Sequence, residues 1–196
     1  MNMPFDALND ASDDALLIAF GNGDRGAARV LTERHAPRVI GYAARLLKDR
    51  AEAEDVAQDA MMRLWKIAPD WRVGEAKVST WLYRVVTNLC TDRLRKKRGA
   101  GLDEIAEPED DKPSQEAVLM QKQRVAALDR ALHTLPDRQR EAVVLRHIEG
   151  FSNPEIAQIL EIGVEAVESL TARGKRALAK ALANQREELG FEDDTA

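Results

Sequence analysis

The sequence predicts an all-α protein made of two small helical domains joined by a flexible acidic linker. Three observations carry that expectation. Strand signals are almost absent, with few β-branched runs and little alternation, while long Ala/Leu/Arg/Glu-rich segments dominate. The stretch 99–116 lacks helical periodicity and sets Gly99, Gly101, Pro108 and Pro113 among seven acids and one lysine. A chain of 196 residues with 44% hydrophobic residues buries one core or two small ones.

These signals divide the chain into a first domain over 12–98, a linker over 99–116, a second domain over 117–186 and an acidic tail over 187–196. Helices are expected at 13–21, 25–47, 51–67 and 79–98, then at 115–133, 137–148, 153–161 and 164–186, with limits good to ~2–4 residues. Pro37 predicts an interruption within the second of them. There is no internal repeat.

In the helix at 51–67, Ala53, Val56, Ala57, Ala60, Met61, Leu64 and Ile67 form the stripe that should be buried. The opposite side presents Asp55, Gln58, Asp59, Met62, Trp65 and Lys66. Large apolar groups among acids suit a partner surface, although Trp65 could instead fold back onto its own domain.

The helix at 79–98 takes Ser79 as its expected N-cap and buries Leu82, Val85, Val86 and Leu89. Trp81, Arg84, Asn88 and Arg95 align on its other side, and its end carries Arg93, Arg95, Lys96, Lys97 and Arg98. Such a face suits unpaired bases: the ring stacks, the amide reads an edge, and the cations hold phosphate. The same cations also complement the helix dipole, and Trp81 could be core.

The last quarter reads as a helix-turn-helix. Ser152 and Glu155 have capping-box spacing, Ile156, Ala157, Ile159 and Leu160 recur at helical spacing, and Glu161-Ile162-Gly163 makes the turn. In the following helix Val167, Leu170, Gly174, Leu178 and Leu182 share an inner face. Glu165, Ser169, Ala172, Arg173 and Arg176 point the other way. Small polar and cationic groups on the exposed face of the second helix suit a DNA major groove. The plainer alternative is a helical hairpin with a solvated charged face.

The net charge of −5 is unusual for a DNA binder until it is mapped. The linker carries −6 and the tail −5, so removing their −11 leaves +6 on everything else. The acids sit in linker and tail, and the bases sit on helices.

Catalytic chemistry has no foothold. His35, His133 and His147 are isolated from ligand partners, Cys90 has no nearby histidine, and there is no P-loop, Gly-rich dinucleotide turn or G-x-S-x-G. The expectation is a protein that is not an enzyme, with no metal and no cofactor. No apolar run approaches the ~18 residues that span a bilayer, no signal sequence opens the chain, and the lone cysteine excludes an internal disulfide. A cytoplasmic protein without membrane insertion is expected.

Three segments together resemble the extracytoplasmic-function (ECF) sigma factors of the main bacterial sigma family. They are Ala53-Glu54-Asp55-Val56-Ala57-Gln58-Asp59 through Leu64-Trp65; Ser79-Thr80-Trp81-Leu82-Tyr83-Arg84 with Asn88 and Asp92-Arg93-Leu94; and Leu135-Pro136 through Arg146, Gly150 and Glu155-Ile156-Ala157. Each is weak alone; their order and spacing are specific, and they cover all but the ends and the linker.

The resemblance implies a subunit that binds core RNA polymerase, at the β′ clamp and the β flap, and directs it to promoter DNA. It places Glu54, Asp55, Gln58, Asp59, Met62 and Trp65 on the polymerase clamp. It gives Trp81, Arg84, Asn88, Arg93, Arg95 and Lys96 to the −10 element, with Asn88 at a position used to capture a flipped base. It gives Arg146, Glu165, Ser169, Ala172, Arg173, Lys175 and Arg176 to the −35 element. It also implies an anti-sigma factor that wedges between the domains, and a stress regulon. The chain departs from many members at Glu168, Leu170, Gly163 and Pro154, so a −35 sequence does not carry over.

Two other classes stay open on the sequence. An operator-binding regulator would explain the helix-turn-helix but leave the Trp65 and Trp81–Asn88 faces idle. A sigma-mimicking adaptor would be expected to carry a fused receiver domain, for which 196 all-α residues leave no room.

Overall fold

The computed structural model describes residues 5–99 and 116–188. Among them the elements are α1 (Phe5–Asp10), α2 (Asp13–Gly21), α3 (Arg25–Leu47), α4 (Arg50–Ile67), a 3₁₀ turn (Ala68–Asp70), α5 (Val78–Gly99), α6 (Glu116–His133), α7 (Asp137–His147), α8 (Asn153–Leu160) and α9 (Val164–Glu188). The linker expected over 99–116 and the tail over 187–196 lie almost wholly outside the described residues.

Local chemistry sets the ends of these helices. Ser12, Asp24 and Asp49 accept backbone N–H bonds from Ala15, Gly26 and Glu52, closing the first turns of α2, α3 and α4. Lys48 takes a left-handed conformation (φ 62°) to end α3, and Glu161 does the same (φ 56°) to end α8.

Two expectations at the helix level need correcting. Pro37 lies inside an uninterrupted α3. Val30, Leu31 and His35 before it, and Val39, Tyr42 and Ala43 after it, are all buried, and this packing offsets the ~3 kcal/mol an internal proline costs. Ser79 is not the cap of α5: the helix begins at Val78, and the Trp81 N–H already bonds to the Lys77 carbonyl.

In the first domain α3 packs against α2, α4 and α5 around Leu16, Leu17, Leu31, Leu46, Leu64 and Leu82. In the second, α9 packs against α6, α7 and α8 around Leu132, Val143, Ile156, Ile159 and Val167. The two cores are continuous. α5 lies against α8, and α3 against α6 and α7. Helix α7 is buried all round from Arg140 to Leu145, because α9 covers one side and the first domain the other.

Candidate polymerase and nucleic-acid surfaces

The α4 face is set by the burial of Ala53, Val56, Ala57, Ala60, Met61 and Leu64 on its inner side. Glu54, Asp55, Gln58 and Asp59 are exposed opposite them, and Met62 is 61% exposed. Glu54 is paired with Arg50 at 3.1 Å, one turn back. Trp65 departs from its neighbours. It is half-buried, with its ring 4.8 Å from that of Phe20 on α2. Folding back onto its own domain is therefore what this side chain does, and Met62 is the exposed apolar group on the face.

On α5 the buried stripe is Val78, Leu82, Tyr83, Val86 and Cys90, with Val85 and Leu89 partly covered. Asn88, Arg95 and Lys96 are exposed, and Trp81 and Arg84 are half-buried beside them. Trp81 meets Trp71 edge-on at 6.5 Å, and the Trp71 indole N–H donates to Asp14 at 2.7 Å. The loop leading into α5 is thereby tied to the first domain, while its Val73 stands 64% exposed. Arg93 separates from the set: its guanidinium donates to the Glu52 carbonyl at 2.7 Å, next to a Lys97–Glu52 ion pair of 2.9 Å. It braces α5 against α4 and points away from the Trp81–Asn88 face.

Within the helix-turn-helix, the Ser152 N–H and hydroxyl both donate to the Glu155 carboxylate, at 2.9 and 2.6 Å. Together with Lys77 they hold the Glu155 carboxyl down at about 2, the lysine bond being the largest cause. Val167 and Gly174 are buried on the inner side of α9. Glu165, Ser169, Ala172, Arg173, Lys175 and Arg176 are all exposed on the outer side. Arg173 bonds back to the Ser169 hydroxyl at 2.9 Å, and exposed Arg146 donates to the Phe151 carbonyl at 3.0 Å. These side chains form one cationic, small-residue ridge of the shape a major groove admits.

Sequence reasoning missed a set of residues that join the domains: Arg38, Lys77, Tyr83, Arg140, Glu141 and Glu149. One signal was available, since Glu141 to Leu145 offers no polar side to solvent, as expected of a helix covered all round. Cys90 is buried, and burial pushes its thiol up to about 12, which disfavours the reactive thiolate. Among the described residues no group of three metal-ligating side chains gathers, and no helix is long and apolar enough to cross a membrane.

A basic helix-turn-helix is thus joined to a helical domain with a second cationic face and an acidic face. Residues 31–100 match the family model for sigma-70 region 2, and residues 126–178 match that for sigma-70 region 4. The chain is 35% identical over 181 residues to the ECF RNA polymerase sigma factor SigM of Mycobacterium tuberculosis, covering 91% of this chain and 88% of that one. It is 31% identical over 171 residues to the ECF RNA polymerase sigma factor SigW of Bacillus subtilis, covering 82% and 91%. Among solved structures, CnrH in complex with the cytosolic domain of CnrY aligns with a TM-score of 0.67 at 25% identity, over 89% of this chain and 99% of that one. The chain belongs to the ECF RNA polymerase sigma factors. It is therefore a specificity subunit that binds core RNA polymerase and promoter DNA, and not an enzyme.

Proposed function

We propose that residues 12–98 bind the polymerase clamp and the −10 element, and that residues 117–186 bind the −35 element. Glu54, Asp55, Gln58, Asp59 and Met62 meet the clamp, with Trp65 supporting that face from beneath. Asn88 holds a flipped base, Trp81 and Arg84 flank it, and Arg95 and Lys96 hold phosphate. Arg93 acts by bracing α5. On α9, Ser169, Ala172 and Arg173 face bases, while Lys175, Arg176 and Arg146 hold the backbone. Glu165 sits in the first turn, where the helix dipole favours an acid.

The observation that carries this reading is the register of α9: every side chain assigned to the groove is exposed, while Val167 and Gly174 are buried opposite them. CnrH is solved in complex with the cytosolic domain of CnrY, which supports control of this chain by a protein partner as well, read here as an anti-sigma factor. A cytoplasmic location and a stress regulon complete the proposal. Pull-down of core polymerase followed by run-off transcription tests it. Core-dependent initiation at a specific promoter is expected, and DNA binding without any association with core would overturn it.

A further inference from the structure

The loop that leads into α5 is held from outside α4 and α5. Residues 71–77 run from the 3₁₀ turn to the first turn of α5, and Arg72, Val73, Gly74, Glu75 and Lys77 are exposed on it. Arg72 pairs with Glu75 inside the loop at 3.7 Å, and Lys77 pairs with Glu155 of the second domain at 2.7 Å. Among the described residues, the one side-chain hydrogen bond from this loop to its own domain is made by Trp71. Its indole N–H donates to the Asp14 carboxylate on α2 at 2.7 Å.

Asp14 is presented by a platform fixed independently of the loop. Ser12 caps α2 through the Ala15 N–H, and Asp13 bonds to His35 at 2.7 Å and to Arg34 at 2.9 Å on α3. Leu16 and Leu17 are fully buried beneath. At the far end of α2, a Cβ on Gly21 would come within 2.9 Å of the Ala68 carbonyl oxygen. Helix α2 thus grips the start of the loop at two points, Asp14 against Trp71 and Gly21 against Ala68.

What Trp71 passes onward is the pose of Trp81. The two rings meet edge-on at 6.5 Å with their planes at 89°, so the electropositive edge of one lies against the face of the other. Trp81 and Asn88 are two helical turns apart on one face of α5, about 10 Å along its axis. With Asp14 holding the Trp71 ring, Trp81 stands in one pose beside Asn88. Without that bond the half-buried rings can turn, and an unpaired base would have to order them as it binds.

We propose that Asp14 is a positioning residue for the −10 element: through the Trp71 indole it fixes Trp81 beside Asn88 before the DNA strand arrives. This inference rests on the assignment of Trp81 and Asn88 to the −10 element made above. It brings into promoter opening a helix that ends at Gly21, ahead of the stretch matching sigma-70 region 2, which begins at residue 31.

An acid in the first turn of α2 also complements the helix dipole, and the variants are chosen to tell the two roles apart. Asp14→Ala removes acceptor and charge, Asp14→Asn keeps an acceptor without the charge, and Trp71→Phe keeps a ring without the donor. Each full chain is assembled with core polymerase and its core affinity titrated. Open-complex formation is then followed on a duplex promoter and on the same promoter with a pre-melted bubble. Asp14→Ala and Trp71→Phe should slow opening of the duplex by about tenfold, the scale of one charge-assisted hydrogen bond, with a smaller loss on the bubble and unchanged core affinity. Asp14→Asn should stay near wild type. Joining Asp14→Ala to Trp71→Phe should cost no more than either alone, because all three chains lack the same bond. Asp14→Asn as slow as Asp14→Ala would overturn the inference in favour of the dipole. Additive losses would overturn it too, since the residues would then act separately, and so would a parallel fall in core affinity, which would assign the bond to the stability of the domain. A wild-type holoenzyme that opens no duplex fails the −10 assignment itself. A wild type that opens it, beside an equally fast Asp14→Ala, fails this inference alone.

Discussion

Gly174 and Val143 stand so close that α9 could not lie on α7 with any side chain between them. A Cβ at Gly174 would come within 2.6 Å of Val143 Cγ2 and 3.1 Å of the Gln139 carbonyl oxygen. Neither neighbour yields easily: valine is stiff at χ1, and the carbonyl is backbone. The contact fixes how α9 is rotated, and so which of its side chains are exposed.

Gly174→Ala is therefore expected to destabilise the protein by ~1–3 kcal/mol through overpacking, more than the ~1 kcal/mol that alanine gains over glycine in a helix. Urea unfolding measures the change directly. A variant more stable than wild type would show that α7 moves aside.

On the face of α4 proposed to meet the polymerase, Met62 and Trp65 should separate. Met62→Ala removes an exposed group, so unfolding should shift by no more than ~0.5 kcal/mol, while core affinity falls by up to ~2 kcal/mol if Met62 is an anchor. Trp65→Ala also strips the ring that covers Phe20, and should lower thermal stability as well. Parallel melting and core-binding titrations read both. Normal core affinity in Met62→Ala would move the interface off α4.

Asn88→Ala should slow open-complex formation on duplex promoters more than on templates with a pre-melted bubble. A bubble presents unstacked bases at no cost, whereas a duplex must be paid for by capturing one. Permanganate footprinting on both templates makes the comparison. Equal loss on the two would point to a structural defect in α5.

Arg173→Ala should abolish discrimination at one −35 position, since a bidentate arginine–guanine contact is worth ~1–3 kcal/mol. Lys175→Ala should lower affinity for every sequence alike and flatten its salt dependence. Holoenzyme binding across single −35 substitutions at two salt concentrations separates these outcomes. A uniform loss from Arg173→Ala would place that side chain on the backbone.

The seam should also respond to acid through His133. Its ring is held down at about 4, first by burial and then by the Arg140 and Lys48 charges, and its Nδ1 is buried without a hydrogen-bond partner. A folded-state value below the ordinary 6.5 means that its stability contribution is intact above pH 6.5 and is lost progressively as pH falls towards 4. Asp129, facing Arg45 in the same cleft, is shifted up by burial and opposes this trend in part. His133→Gln should flatten stability between pH 6.5 and 4 in urea titrations. An unchanged slope would assign the acid response to another group.

The helices and the buried and exposed sides of α9 were legible because they depend on local spacing. Val167, Leu170, Gly174 and Leu178 declare one side of α9 wherever that helix packs, and the Ser152–Glu155 pair declares its partner's start. Trp65 was not legible, since one aromatic residue off a stripe is compatible with either solvent or a neighbour. Phe20, 45 positions earlier, decided it. Pro37 misled for a similar reason: its local cost is real, and only the packing on both sides of it outweighs that cost.

By itself, then, the sequence determined an all-α chain, the run of its longer helices, its helix-turn-helix and the segregation of its charge, because each is written in periods of a few residues. Tertiary structure alone decided how the two domains meet. Tyr83 and Glu149 are 66 positions apart, and Arg38 and Glu149 are 111 apart. No periodicity links them. A buried carboxylate is tolerated only where donors surround it, and those donors exist at Glu149 only after α3, α5 and the turn beyond α7 have come together.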